Sequence, residues 1–368
     1  MSAAIAAALA LSGCGASTPD LVPFALPIPN GSSSVGVVTL EVPGRAGGGH
    51  DRTMAALWYP AADEDGTASP GEPWADSETA DALEVQLVTA LGAPEASAPD
   101  LKKVRAHAHG SAAAASISDI PLVVFSPALG ASRSMVTGLA ESLASDGVAV
   151  LAVDHPADAA AILFPDGEVV HGDLPALIDA AAGAGDQQRA ALLSEDAVVA
   201  RTDDVFAALD ELTALSTEPD VSASALPPGL AGRIDTEHVV VMGHSLGGAT
   251  ALAAASDPRI AGVIDLDGTP WGPVVEAGVT KPALIVLSDD TEPANDPQLE
   301  AFLAASPSAE LERIDGARHL SFTDLLWLHS QLGEAGDEFL GSIDPTAFHT
   351  RLVELVRDFV IRHTSDAH

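Results

Sequence analysis

The chain has 368 residues, 47% hydrophobic and 19% charged, which is enough to bury a large core and argues against global disorder. Acids outnumber bases 53 to 16, a formal net charge of −37. Such a coat repels phosphate backbones and anionic head groups, so nucleic-acid binding and polybasic membrane docking are excluded as functions. The single cysteine, Cys14, rules out an internal disulfide framework and a thiolate-cluster metal site.

Residues 3–11 form an apolar run too short to cross a bilayer of about 30 Å. The run ends in Leu11-Ser12-Gly13-Cys14, which resembles the lipobox of bacterial lipoproteins. That resemblance implies a signal peptide over 1–13, cleavage before Cys14 and a diacylglycerol on its sulfur, although Met1-Ser2 lacks the basic residue of a usual n-region. Residues 14–34 carry Pro19, Pro23, Pro27 and Pro29 and read as a semi-extended tether. The expected location is therefore extracytoplasmic, anchored at the membrane, or secreted if the anchor is absent.

Residues 35–368 alternate β-rich runs with helical stretches, which predicts an α/β fold with a mainly parallel sheet. Two strands are expected at 35–42 and 53–59, with a Gly-rich turn at 44–49. Residues 60–118 read as a long insertion with one helix near 77–91, followed by a buried strand at 122–125, a helix near 132–145 and a strand at 148–153. A second insertion, 156–235, holds a hairpin around Pro165-Asp166-Gly167 and a long helix near 188–215; it is the candidate cap over the site.

The next strand, near 238–242, runs into Gly243-His244-Ser245-Leu246-Gly247-Gly248 and an Ala-rich helix. A serine on a strand-to-helix bend has strained backbone angles, and flanking glycines remove the Cβ atoms that would clash. The bend points the Ser245 hydroxyl at the carboxyl edge of the sheet and the Leu246 N–H at the place where an oxyanion would form. A serine hydroxyl needs a base, and the base needs an acid to hold its tautomer; on this fold they follow in the order Ser, Asp or Glu, His.

His319, His329, His349, His363 and His368 follow the serine with room for an acid between. His319 alone sits in a loop, Gly316-Ala317-Arg318-His319, directly after a strand-like run at 311–314, and is the expected base. His349, His363 and His368 lie in or beyond a terminal helix at 345–363, and His329 lies in a helical stretch. Two strands end in acids, Ile264-Asp265-Leu266-Asp267 and 283–287 before Ser288-Asp289-Asp290, and spacing alone does not choose between Asp267 and Asp290.

Taken together, Pro121-Leu122-Val123-Val124-Phe125-Ser126 with Leu129-Gly130, Gly243 to Thr250, Ile264 to Asp267 and Gly316 to Asp324 resemble α/β-hydrolases of the plasma platelet-activating-factor acetylhydrolase type and their bacterial relatives. The resemblance implies an α/β-hydrolase fold and a serine carboxylic-ester hydrolase acting through an acyl-enzyme on short-chain or phospholipid-like esters, with no cofactor. It implies Asp267 as the acid, supported by the Asp267-Gly268-Thr269-Pro270-Trp271 context; cutinase-like polyester hydrolases take the acid one strand later, at Asp289 or Asp290. It also implies a second oxyanion donor, the Leu129 N–H, although Pro127-Ala128 stands where the family usually has His-Gly.

The alternatives are a polyester- or dienelactone-type hydrolase, or a surface lipoprotein that keeps the fold as a binding module. His107-x-His109, His50-Asp51 and the acids of 289–296 lack metal-ligand spacing and read as surface residues; Asp154-His155 reads as a buttress, and Trp271 and Phe164 as packing beside the site.

Overall fold

Runs of β-branched and aliphatic residues bounded by Gly, Pro and acids become the strands of one sheet. In this computed structural model the described residues are 24–62, 71–91, 100–172, 195–217, 225–329 and 334–364. Cys14, the lipobox-like run, residues 14–23 of the tether and His368 lie outside them.

The strands are β1 (Ser34–Pro43), β2 (Arg52–Ala61), β3 (His109–Gly110), β4 (Ile120–Ser126), β5 (Ala149–Val153), a small hairpin of β6 (Ile162–Leu163) and β7 (Val169–Val170), then β8 (Ile234–His244), β9 (Ile260–Leu266), β10 (Ala283–Leu287) and β11 (Glu310–Arg313). Nine of them form a sheet in the order β11-β10-β9-β8-β4-β5-β2-β1-β3. From β11 to β5 every pairing is parallel, and β2 joins β5 and β1 antiparallel. Strand order reverses at β4, with β5 on one side and β8 on the other. That is the switch point at which a doubly wound sheet opens a crevice above its carboxyl edge.

The helices are α1 (Ser77–Leu91), α2 (Thr137–Ser145), α3 (Asp196–Thr217), α4 (Leu246–Ala254), α5 (Val274–Ala277), α6 (Pro297–Ala305), α7 (Glu334–Leu340) and α8 (Pro345–Thr364). Central strands are apolar on both faces because helices cover both. Val123, Phe125, Val240 and Met242 pack with Leu139 and Leu143 of α2 and with Phe348, Val356 and Phe359 of α8. On the other face Leu122, Val124, Val239 and Val241 pack with Val205, Leu209 and Leu212 of α3 and Phe302 of α6.

Two expectations change here. Most of α3 is not a cap. Its buried face of Val205, Leu209, Leu212 and Leu215 matches the sheet, so the crossover helix is a core layer, and only its first turns reach the carboxyl edge; residues 173–194 lie outside the described set. The first insertion also contributes to the body: Leu83 and Leu87 of α1 join the core, and β3 extends the sheet beside β1.

Candidate active site

β8 delivers Ser245 at a bend with φ 58° and ψ −119°, and α4 starts at the next residue. This left-handed backbone is costly for a non-glycine residue and is held only where the surroundings over-determine it. Here they do. A Cβ on Gly243 would lie 1.9 Å from the Gly247 carbonyl oxygen, and one on Gly247 would lie 2.0 Å from that of Ser126, so the elbow closes only with glycine at both places. Among the described residues neither the Leu246 N–H nor the Leu129 N–H has an acceptor in the protein. The side chains of both residues join one apolar cluster with Val198, Ala249 and Trp271.

At the end of β9, Asp267 also has a positive φ, 57°, and its side chain is fully buried. Its carboxylate accepts from the Ser288 N–H at 2.8 Å, from the Ser288 hydroxyl at 2.9 Å and from His319 Nδ1–H at 2.7 Å. Burial pushes this carboxyl upward, but the His319 and Ser288 donors outweigh it and hold the group below the usual range. With Nδ1 donating to Asp267, neutral His319 presents Nε2 as its free lone pair.

His244 fixes the loop carrying that ring. Its Nε2–H donates to the His319 carbonyl at 2.9 Å, and the two rings lie 4.7 Å apart between centroids. Burial, together with the neighbouring His319, pushes His244 down to about 3, so it stays neutral and does not compete for the proton. No hydrogen bond joins Ser245 to His319 among the described residues; without a substrate such contacts are often long, and they tighten around the reacting carbonyl.

Asp290 lies beside the same loop but turned to its backbone: Oδ2 accepts from the His319 N–H at 2.8 Å, and Oδ1 pairs with Arg318. Asp289 accepts from the Gly316 N–H at 2.9 Å, and Asp296 caps α6, so these acids brace loops. His329 bonds to Asp337 and the Gly341 carbonyl, and His349 and His363 lie on α8 away from Ser245. His107 donates to the Leu26 carbonyl, and no group of three or more His, Cys, Asp or Glu gathers as a metal site among the described residues.

Several contributors were not assigned roles from the sequence. Ser288 anchors Asp267 through two donors, and its place directly after a buried strand was the available signal. Beneath the site runs a second chain, buried except at its half-buried end, His50, which is tied into this chain and is not the surface residue expected from the sequence. The Ser126 hydroxyl donates to His155 Nε2 at 2.8 Å, and His155 Nδ1–H and His50 Nδ1–H donate to opposite oxygens of Asp204, each at 3.0 Å. Ser126 is wholly buried, so this chain is a structural strut, consistent with the buttress read at His155. Burial would raise Asp204, but the two imidazoles pull it below the ordinary carboxylate range. An open cavity of about 680 Å³ is lined by Glu195, Trp271, Gly272, Pro273, Val275 and Glu276, and Trp271, which packs with Leu246 and Leu129, is its link to the elbow.

The fold is that of the α/β-hydrolase class, and the proteins this chain resembles make it an ester-cleaving hydrolase. The chain matches the family described as platelet-activating factor acetylhydrolase, isoform II, over residues 24–365, and it belongs to that family. It is 26% identical to the platelet-activating factor acetylhydrolase of Cavia porcellus over 313 residues, covering 81% of this chain and 69% of that protein. It is 26% identical to that of Gallus gallus over 269 residues, covering 65% of this chain and 63% of the relative. Among solved structures, a ferulic acid esterase from Streptomyces cinnamoneus superposes with a TM-score of 0.69 at 26% identity, covering 92% of this chain and 93% of that one.

Proposed function

We propose that the protein hydrolyses carboxylic esters through an acyl-enzyme on Ser245. His319 takes the hydroxyl proton as Ser245 attacks the carbonyl and returns it to the leaving alcohol. Asp267 holds the ring tautomer and stabilises the imidazolium. The Leu246 and Leu129 amides receive the oxyanion, and a water activated by the same imidazole then releases the acid. The observation that carries this reading is the His319 Nδ1–Asp267 hydrogen bond of 2.7 Å, which leaves Nε2 as a base at the edge where the Ser245 elbow opens.

Short-chain, phospholipid-like esters are the proposed substrates. The names of the relatives support this class, and so does the acidic rim of Glu195 and Glu276 at the cavity, which suits neutral or zwitterionic leaving groups better than anionic ones. Ser245→Ala is expected to lower turnover of a short-chain nitrophenyl ester by about 10⁴- to 10⁶-fold; a variant equal to wild type would remove the nucleophile assignment. The second part of the proposal is a lipid anchor on Cys14 holding the enzyme outside the cytoplasm, supported by the Leu11-Ser12-Gly13-Cys14 pattern. No helix among the described residues is long and apolar enough to cross a membrane. Cys14→Ser should move the protein from the membrane fraction to the soluble one, and unchanged membrane retention would exclude the anchor.

A further inference from the structure

We infer that Arg201, held by Asp158, is a positioning residue that sets the orientation of the Leu129 oxyanion peptide. The inference rests on the ester-hydrolase reading of Ser245. Arg201 lies on the second turn of α3 and is 1% exposed. Its guanidinium donates to the Pro127 carbonyl at 2.7 Å and to the Ala128 carbonyl at 3.2 Å. The remaining donors form a forked pair with Asp158, Nε to Oδ2 at 2.9 Å and Nη2 to Oδ1. Asp158 Oδ1 also accepts the Gly130 N–H at 3.2 Å.

The consequence follows from peptide geometry. In a trans peptide the N–H points opposite to the carbonyl of the same unit. No cis bond is present among the described residues, so an Ala128 carbonyl fixed on Arg201 turns the Leu129 N–H away from Arg201. The amides of Gly130 and Ala131 are taken, by Asp158 and by the Ala128 carbonyl, which leaves those of Ala128 and Leu129 without an acceptor among the described residues, and of the two the Leu129 unit is set apart by its surroundings. Its side chain packs in one cluster with that of Leu246, the other proposed donor. Pro127 has no N–H of its own to pin the loop. A planar, permanently charged fork gripping two consecutive carbonyls does that work from the helix side, and lysine cannot reproduce it. This is how Pro127-Ala128, in place of the His-Gly usual in the family, remains compatible with an oxyanion hole.

The test uses the full chain with two single variants, Arg201→Lys and Ser245→Ala, and one double variant, Arg201→Met with Asp158→Asn. The double change removes both buried charges together, which avoids the uncompensated carboxylate a single deletion would leave. An amide at position 158 can still accept the Gly130 N–H. Each protein is melted, then assayed on a short-chain ester and on its thiono analogue, whose C=S sulfur is a weaker hydrogen-bond acceptor.

The expected result for the double variant is a wild-type-like melt and a KM within about threefold, with kcat on the oxo ester reduced by about 10²-fold. Turnover of the thiono ester should fall much less, so the oxo-to-thiono ratio drops. Arg201→Lys should fold and show a smaller drop in both kcat and ratio. It decides the matter if the double variant does not fold. An unchanged ratio in a folded variant, whether kcat is kept or falls equally on both esters, overturns the inference. Retention of activity by Ser245→Ala instead overturns the underlying esterase reading, so the two failures are distinguishable.

Discussion

Asp267 and Asp290 both touch His319, but at different atoms, and that difference separates their roles. Asp267 meets Nδ1 of the ring, while Asp290 meets the backbone N–H and Arg318. Asp267→Asn is expected to lower kcat by about 10⁴-fold through loss of the correct tautomer. Asp290→Asn keeps an acceptor for the backbone and should cost less than about tenfold. Steady-state kinetics on one ester decides between them, and a collapse only at position 290 would move the acid one strand on. At this scale the sequence was legible where geometry is tied to a local motif: the bend at Ser245 by its flanking glycines, the placement of His319 beside Asp267 by its loop after a strand. It was ambiguous for the acid, because two neighbouring parallel strands end in carboxylates at the same edge, and only side-chain direction distinguishes them. Arg201 and Ser288 were illegible for a related reason. Their roles exist through contacts 74 and 21 residues away in the chain.

The strand–elbow–helix unit of β8 and α4 shows how one element imposes geometry on another. Gly247 presses against the end of β4, where a Cβ would lie 2.0 Å from the Ser126 carbonyl and 2.6 Å from that of Pro127. Both contacts are backbone, so neither can move aside without shifting the loop that carries Leu129. Gly247→Ala should therefore cost about 3 kcal/mol of stability, the upper end of overpacking effects, and lower kcat in whatever fraction folds. Urea denaturation monitored by circular dichroism checks the first, and a loss below about 1 kcal/mol would show that the elbow tolerates a methyl group. Buried strands and the two long helices were readable from apolar runs and periodicity. The short pieces were not: β3 has two residues and α5 has four, too few for any period to register. The reading of the 156–235 crossover as a cap does not hold for α3, whose apolar stripe could face either a substrate or a sheet, and its sequence contains no sign of which.

Across the whole molecule, buried titratable groups and the net charge of −37 act on stability together. Burial pushes Glu141 up to about 8, despite amide donors from His107 and Ala108, and Asp324 up to about 7, despite Trp74 and Gly138. Burial also raises Asp265, and the hydrogen bond to Asp204 raises His50. All four bind their protons more tightly folded than unfolded, so each stabilising contribution is present at low pH and is lost as pH rises through the folded value. Burial has the opposite effect on His155, on His349, at about 4, and on His244, at about 3: the unfolded chain takes up protons below its ordinary histidine value, so stability falls as pH drops from about 6.5, these three histidines against the three carboxyls just named. Between about pH 4.5 and 6.5 the two sets oppose each other; above that, only the proton-retaining groups remain. Glu141 alone then contributes a slope of about −1.4 kcal/mol per pH unit up to its folded value. Growing negative charge adds repulsion in the same direction, and salt screens that part but not the buried part. The melting temperature should thus be nearly level from about pH 5 to 6.5 and fall steadily towards pH 8.5, with a decline that persists in about 1 M salt. Glu141→Gln, which keeps an acceptor for both amides and cannot ionise, should flatten the alkaline slope and melt above wild type at pH 8. Scanning calorimetry of both proteins across these buffers gives the answer, and a wild-type melting temperature that climbs from pH 6.5 to 8.5 would show that the buried carboxyls are ionised in the folded state throughout.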